Sequence, residues 1–422
     1  MFDRLNDKQK EAVLHKEGPC LVLAGAGSGK TRVLTQRIVN LINDGVRPQN
    51  ILAITFTNKA AREMRERVRN SIGEVADSIF IGTFHSFGLK VVRENTLEIG
   101  YNKNITILDR DDTVSLVRRI LKELNLDPDK YPSKYILNKI SFCKNEGLTP
   151  REYENFAKIP LDKAACDVYK LYVDALKRSN SVDFDDLLIL PLEIFKNEEI
   201  LDKYQEHYQY ILVDEYQDTN MVQYNLCKIL SSKYRNLFVV GDMDQSIYSF
   251  RFANYKNVLN FENDYPDSKT IVLDENYRST NTILKAANDV IKNNKKRKEK
   301  NLWSSNGDGD KIKHIVVDNE GEEARTVAKE VKKLINEGET PSEIAVLYRT
   351  NGQSRVVEEA FLRENIPFKI VGSYFFYNRK EIKDLIAYLH LIYNPNDDTS
   401  LERVINVPKR KIGNKTIDNL RN

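Results

Sequence analysis

The chain reads as an α/β protein built on a buried parallel sheet, broken by a helical insertion and followed by a second, incomplete α/β unit. Three observations predict this. Short apolar runs recur with helix-period text between them, and several are continuously apolar, as strands buried on both faces of a parallel sheet are. The stretch from about 110 to 190 has helical period, is rich in Lys, Asp and Tyr, and holds no comparable strand. Beyond residue 310 strand and helix alternate again, but for only three strand-like runs, fewer than the roughly five an α/β sheet usually needs.

In chain order the first runs are CLVLA (20–24), ILAIT (51–55), IFIGT (79–83), ITIL (105–108), YILVD (210–214), LFVVGD (237–242) and TIVLD (270–274). The second alternation is KIKHIVV from 311, a helix from Glu322, EIAVLYR from 343, a helix from Gln353, and FKIVG ending at Gly372. Helical text (RKEIKDLIAYLHLIY) and the turns NPNDD and PKRKIG follow. Between the halves lies KKRKEK (295–300), which reads as solvated surface or as a DNA-facing patch.

At 422 residues the chain is too long for one core, so roughly two to four domains are expected. Basic and acidic residues nearly balance, 65 against 62, so any nucleic-acid site must be local rather than a general basic surface. The four cysteines (Cys20, Cys143, Cys166, Cys227) form no CxxC pair, and the five histidines have no ligand spacing. That pattern argues against a disulfide framework or metal cluster and fits a reducing, cytoplasmic setting. The polar start MFDRLNDKQK is no signal peptide, and no apolar run reaches the roughly 18 residues a membrane helix needs.

The chemistry begins where CLVLA runs into AGAGSGKT (24–31) and then a helix. Strand, glycine turn, helix is the setting of a phosphate-binding loop, the Walker A motif. Ala24 stands at its first position, where glycine is usual; Gly25, Ala26, Gly27, Ser28 and Gly29 form the cradle of backbone N–H groups. Lys30 is placed to meet the β- and γ-phosphates, and the Thr31 hydroxyl to ligate Mg²⁺. Its partner is the acid-ended strand YILVDEYQDTN, in which Asp214 holds Mg²⁺ and Glu215 orients the attacking water as base. Together these imply hydrolysis of a nucleoside triphosphate. The long interval from Thr31 to Asp214 fits neither a transporter ATPase nor a metabolic kinase.

Further strings suggest what hydrolysis drives. ITFTNKAAREMRERV (54–68) puts Phe56, Thr57 and Asn58 just past a strand's C-terminal end, and GTFHSFG (82–88) does the same with Thr83, Phe84 and His85. Ligands of open α/β sheets bind at those ends, and an aromatic there can stack on a base. Phe56 alone reads equally as core. With LNDKQ (5–9), VVGDMDQSIYSFRFA (239–253), LDENYRST (273–280) and YRTNGQSR (348–355), these strings resemble, in order, motifs of superfamily 1A DNA helicases of the UvrD/Rep/PcrA kind.

The resemblance covers nearly the whole chain and implies a RecA-like P-loop domain, 1A, over 1–108 and 183–280. A helical insertion, 1B, would occupy 109–182, the first part of a second RecA-like domain, 2A, 281–378, and the start of a helical subdomain, 2B, 379–422. It implies that Gln9 reads adenine, so that ATP with Mg²⁺ is the cofactor. Tyr277 would stack on the base, with Arg32 packing beside it unless it is a helix-surface residue. Gln245 would sense the γ-phosphate, and Arg278 would stabilise its developing charge, an effect worth roughly a thousandfold in related sites. Tyr248, Phe250 and Arg251 would contact single-stranded DNA. Where the family commonly reads W-R-G-A this chain has FRFA, so Phe252 replaces a small glycine and is expected to crowd or reshape the base pocket.

The resemblance further implies 3′→5′ movement on single-stranded DNA and at single-/double-strand junctions, in repair or replication with partner proteins of those pathways. Family motifs V and VI are absent before Asn422, so the chain is expected to be a fragment or a short natural form that unwinds poorly. A helicase–nuclease motor and a stand-alone ATP/DNA-binding module are the alternatives. DNA-stimulated turnover separates the module from a motor.

Overall fold

The computed structural model describes residues 5–294, 297, 300–371, 380–413 and 416, the Arg251 side chain excepted. Eight strands are present among them: β1 (Cys20–Ala24), β2 (Ile51–Thr55), β3 (Phe80–Thr83), β4 (Thr106–Ile107), β5 (Ser181–Val182), β6 (Tyr210–Val213), β7 (Leu237–Gly241) and β8 (Lys269–Leu273). Six form one parallel sheet in the order β3-β2-β6-β7-β1-β8.

The continuous apolar runs are explained by two cores, one on each face. Leu21, Leu23, Leu52, Ile54, Ile211, Val213 and Val239 point into one; Cys20, Val22, Ile51, Ala53, Leu212, Phe238 and Val240 point into the other. Alternate residues of a strand face opposite ways, so a strand covered on both sides must be apolar throughout. Because all six strands run parallel, the loops after β1, β2, β3, β6, β7 and β8 emerge at one edge. Every motif singled out above in the first 280 residues, apart from the segment around Gln9, lies on one of those loops or the helix start after it.

The ITIL run does not join this sheet. Its Thr106–Ile107 pairs in parallel with Ser181–Val182, closing the base of the insertion. Between these strands, helices Arg110–Glu123, Ser133–Asn145, Pro150–Glu154 and Pro160–Arg178 surround a core of their own that includes Val117, Ile120, Ile140, Val168 and Tyr172.

The chain divides into two compact units, residues 1–309 with 387–422, and 310–386. In the first unit, residues past 387 return to the insertion. Asn394 Nδ2 donates to Thr106 Oγ1 at 3.0 Å and to the Ser179 and Asn180 carbonyls at 3.1 Å, and Arg119 pairs with Glu402 at 2.8 Å. In the second unit, helices Glu320–Asn336 and Ser354–Arg363 pack through Ala324, Ala328, Val331, Ala360 and Phe361.

The strands expected at 311–317, 343–349 and 368–372 are not found among the described residues, Gly372 lying outside them. Ile344 and Val346 lean on the helix pair, but Val316, Leu347 and Val371 are exposed. A strand is held by ladder partners for its N–H and C=O groups, and apolar alternation alone does not supply them.

Candidate functional site

The loop after β1 is shaped by its glycines. Gly27 (φ +67°) and Gly29 (φ +88°) occupy left-handed backbone, and Gly29 caps the helix Lys30–Asn43, so its N-terminal N–H groups and positive dipole end face the loop. A Cβ on Gly29 would stand 2.8 Å from Gln9 Nε2. Gln9 is fully buried: Nε2 donates to the Ser28 carbonyl at 2.8 Å, and Oε1 accepts from the Asn6 N–H at 3.1 Å. Ser28 Oγ closes the loop on the Gly25 carbonyl at 2.7 Å.

The segment after β8 covers this loop. Asn276 Nδ2 donates to the Ala26 carbonyl at 2.5 Å and the Tyr277 N–H to the Gly27 carbonyl at 2.9 Å. Arg278 Cβ lies 2.7 Å from where a Cβ on Gly27 would stand, so the residue sits directly over the phosphate loop. Tyr277 keeps a partly exposed ring while its hydroxyl donates to Glu275 at 2.6 Å and accepts from Asn6 at 2.8 Å. Burial and then Glu275 push that phenol up to about 12. Arg32 is near enough to act on it electrostatically.

At the end of β6, Asp214 is buried and its N–H donates to the Ile54 carbonyl at 2.8 Å. Burial, then the charge on Glu215, raise the Asp214 carboxyl to about 7 despite Lys30. Lys30 Nζ stands 3.5 Å from Glu215 Oε2. Glu215 has φ +49°, a left-handed conformation that side chains avoid and that persists where the surroundings impose it. Asp218 is raised to about 7 by burial and then Glu215, and its Oδ1 has no hydrogen-bond partner among the described residues. Among the described residues no cluster of three acidic, His or Cys side chains could hold a metal ion by itself. A Mg²⁺ here would take Thr31 and Asp214 as its protein ligands and the nucleotide phosphates and water for the rest.

Beyond this cluster a relay of bonds runs to the loop after β7. Gln217, fully buried, donates to Glu215 Oε2 at 2.8 Å and to Asp218 Oδ2 at 3.3 Å, while its Oε1 accepts the Asp242 N–H at 2.8 Å. Gln245 Nε2 donates to Asp242 Oδ2, and Lys300 Nζ to Asp242 Oδ1. A few residues on, the Tyr248 ring lies 5.0 Å from Phe56 and 5.8 Å from Phe250.

Phe56 and Phe250 line a cleft of about 1090 Å³ between the sheet edge and the insertion, with Tyr248 packed against both rings. Phe56, Thr57, Asn58, His85 and Phe250 line it, with Arg110, Asn138, Lys139 and Phe142 on the insertion side. His85 stacks on Phe184 at 3.9 Å, and burial drops its imidazole to about 4, leaving it neutral. Thr57 and Thr83 spend their hydroxyls capping helices Asn58–Ile72 and Phe84–Glu94. Phe84 reaches the cleft wall but is only 3% exposed and belongs mainly to the core. The Arg251 side chain lies outside the described residues.

Residues 5–266 match the family model of the UvrD/REP helicase N-terminal domain, and 271–422 that of the UvrD-like helicase C-terminal domain. This chain belongs to the UvrD/REP helicase family. It is 48% identical over 424 residues to the ATP-dependent DNA helicase PcrA of Staphylococcus aureus (strain Mu50 / ATCC 700699). It is 49% identical over 422 residues to the protein of that name in Staphylococcus epidermidis (strain ATCC 12228 / FDA PCI 1200). Both matches take in all of this chain and 58% of the relative, so the chain spans less than two thirds of the curated relatives it matches.

In this UvrD/REP family member several site residues escaped the sequence reading. Gln217 and Asp218 lay inside the quoted YILVDEYQDTN string, where an amide beside carboxylates was the available signal. Asn276 was inside LDENYRST. Lys300 belongs to the basic run read as surface or as a DNA patch; it is instead nearly buried, paired with Asp242 and, at 3.3 Å, Asp244. Leu302 packs at Gly25, and Trp303 bridges to Glu275 in parallel fashion.

Proposed function

We propose that this chain binds ATP–Mg²⁺ on the phosphate loop and single-stranded DNA in the aromatic cleft, and couples hydrolysis at one to movement along the other. The observation that carries the reading is the relay Lys30–Glu215–Gln217–Asp242–Gln245, which ends a few residues before Tyr248, whose ring packs on Phe56 of the cleft. The names of the relatives, ATP-dependent DNA helicases, support the same reading.

Mg²⁺ held by Thr31 and Asp214 would neutralise charge on the β- and γ-phosphates. The loop N–H groups and Lys30 hold the phosphates, and the ring of Tyr277 with Arg32 flanks the base. Gln9, buried and bonded through both amide atoms to Ser28 and Asn6, braces the loop from beneath, and reading adenine would require it to leave those partners. Glu215 orients the attacking water and receives its proton, while Arg278 offsets charge gathering on the transferred group. Gln245 registers whether the γ-phosphate is present. Because Gln217 bonds both Glu215 and the backbone of Asp242, a shift at the carboxylates moves the segment that carries Tyr248 and Phe250. At the cleft, Phe56, His85 and Phe250, with Tyr248 packed behind Phe56, offer faces to bases, and Asn58 and Arg251 contact the backbone. Thr57 and Thr83 act by capping the helices that hold Asn58 and His85 in place. The polarity is 3′→5′, the substrates are single strands and strand junctions, and the setting is cytoplasmic DNA repair or replication.

The test is phosphate release from ATP–Mg²⁺ by the purified chain, with and without a single-stranded oligonucleotide, beside Lys30→Ala. Several-fold stimulation that Lys30→Ala abolishes is expected. Turnover indifferent to DNA would overturn the coupling and leave a nucleotide-binding module.

A further inference from the structure

Phe252 occupies a position its backbone does not favour. Its φ is +65°, the left-handed region that suits glycine, so the ring is kept there against the local preference. That ring does not fill the core. It projects into the cleft and meets Phe142 edge to face, with centroids 5.7 Å apart and planes at 65°. Phe142 comes from the insertion helix Ser133–Asn145 and is 40% exposed, whereas Phe252 comes from the loop after β7. The two rings therefore reach toward each other from opposite walls of the cleft.

The surrounding groups say what would cover them. Thr57, Asn58 and Arg110 line the same cleft and offer hydrogen bonds and positive charge to a sugar–phosphate backbone. Lys139 beside them is paired with Asp162 at 3.1 Å, and Asp185 and Asp218 lie on the same lining. Phe250 places a third ring on the same lining, continuing the series from Phe56 and Tyr248. Apolar ring faces spaced among polar and cationic groups match a single strand, whose bases alternate with phosphates.

We propose that Phe142 and Phe252 form an additional base-stacking station, half supplied by the sheet domain and half by the insertion. The inference rests on the reading of the cleft as a single-strand groove. It makes a bound base a bridge between the two walls, so occupancy of the groove holds the insertion against the sheet domain.

Fluorescence anisotropy of the full chain with labelled oligo-dT, and with an abasic strand of equal length, tests this. Phe252→Gly relaxes the backbone at that position, and Phe142→Ala changes an exposed residue, so neither threatens folding; thermal melting checks that. Each variant is expected to weaken oligo-dT binding about tenfold and leave abasic binding unchanged, since stacking on an aromatic supplies roughly that factor per base. The double variant should lose little more than either single one, because the station is shared. Unchanged oligo-dT binding in both variants overturns the proposal, and so does equal loss on both strands, which would make the pair a brace for the insertion. A wild-type chain that binds neither strand removes the groove itself, and the function proposed above with it.

Discussion

Lys144 lies in the insertion helix Ser133–Asn145, fully buried, and its ammonium donates to Asp183 Oδ2 at 2.7 Å and Asp186 Oδ1 at 2.6 Å. Tyr172 adds a third donor, to Asp183 Oδ2 at 2.8 Å. Burial pulls the lysine down, but the two carboxylates overcome it and hold the ammonium charged. Burial works against Asp183 too, yet Lys144 brings it below its ordinary range, while Asp186 is pushed up to about 7 by burial and then by Asp183. Lys144→Met leaves two buried carboxylates facing each other. Two charge-assisted bonds are lost, worth ~1.5–3 kcal/mol each, but one carboxyl can take up a proton and cap the damage. The net expectation is ~3–5 kcal/mol, the usual penalty for breaking a buried ion pair from one side.

The pH dependence has a definite sign. A carboxyl raised above its unfolded value keeps its stabilisation at low pH and loses it as pH rises through the folded value near 7. The wild type shares that loss, so only the further rise of Asp186 once Lys144 no longer lowers it adds to the deficit. The deficit of Lys144→Met should therefore be up to ~1 kcal/mol smaller at pH 5.5 than at 7.5. Calorimetric melting at both pH values reads this, at ~2–4 °C per kcal/mol, so a fall of about 10 °C is expected at pH 7.5. A fall below about 3 °C, or a deficit that grows as pH drops, would refute the reasoning. Because Asn145 next door bonds Asp185 at 2.9 Å and Asn220 at 2.5 Å, single-strand binding in the cleft should weaken along with stability.

Gln217→Leu removes the donors to Glu215 and Asp218 and strands the buried Asp242 N–H, destabilising by ~1–3 kcal/mol. The ratio of DNA-stimulated to basal phosphate release should fall, and an unchanged ratio would show that the relay does not couple the sites. His85, with an imidazole near 4 in the fold against 6.5 when exposed, contributes a loss of stability as pH falls from 6.5 to 4. The ceiling is ~3 kcal/mol, and partial exposure of the ring reduces it to ~1–2. Urea midpoints of His85→Asn should show that part of the acid slope gone. Gly88→Ala would set a Cβ 1.7 Å from the Leu187 carbonyl oxygen and force apart helices Phe84–Glu94 and Asp186–Ile194. It should lower stability by roughly 2–4 kcal/mol by urea denaturation, whereas Gly352→Ala, with open space around it, should be neutral.

What the sequence determined by itself was whatever is local in the chain. Continuous apolar runs announced a doubly covered parallel sheet, because burial on both faces leaves no position for a polar side chain. A glycine-rich turn between strand and helix announced the phosphate loop, because its function resides in consecutive backbone N–H groups. Tertiary structure decided whatever joins distant segments. The ITIL run had the composition of a sheet strand, yet its partner proved to be Ser181–Val182. The apolar stretches near 311 and 343 have no ladder partners among the described residues. Lys300 reads as one more surface lysine until Asp242, dozens of residues earlier, is found against it. Phe142 carried no signal at all, and Phe252 only that of a ring where glycine is usual, until the cleft brought them together. Composition and period report which groups avoid water, whereas the choice of partner is made by the fold, and both the buried ion pairs and the cross-cleft rings depend on that choice.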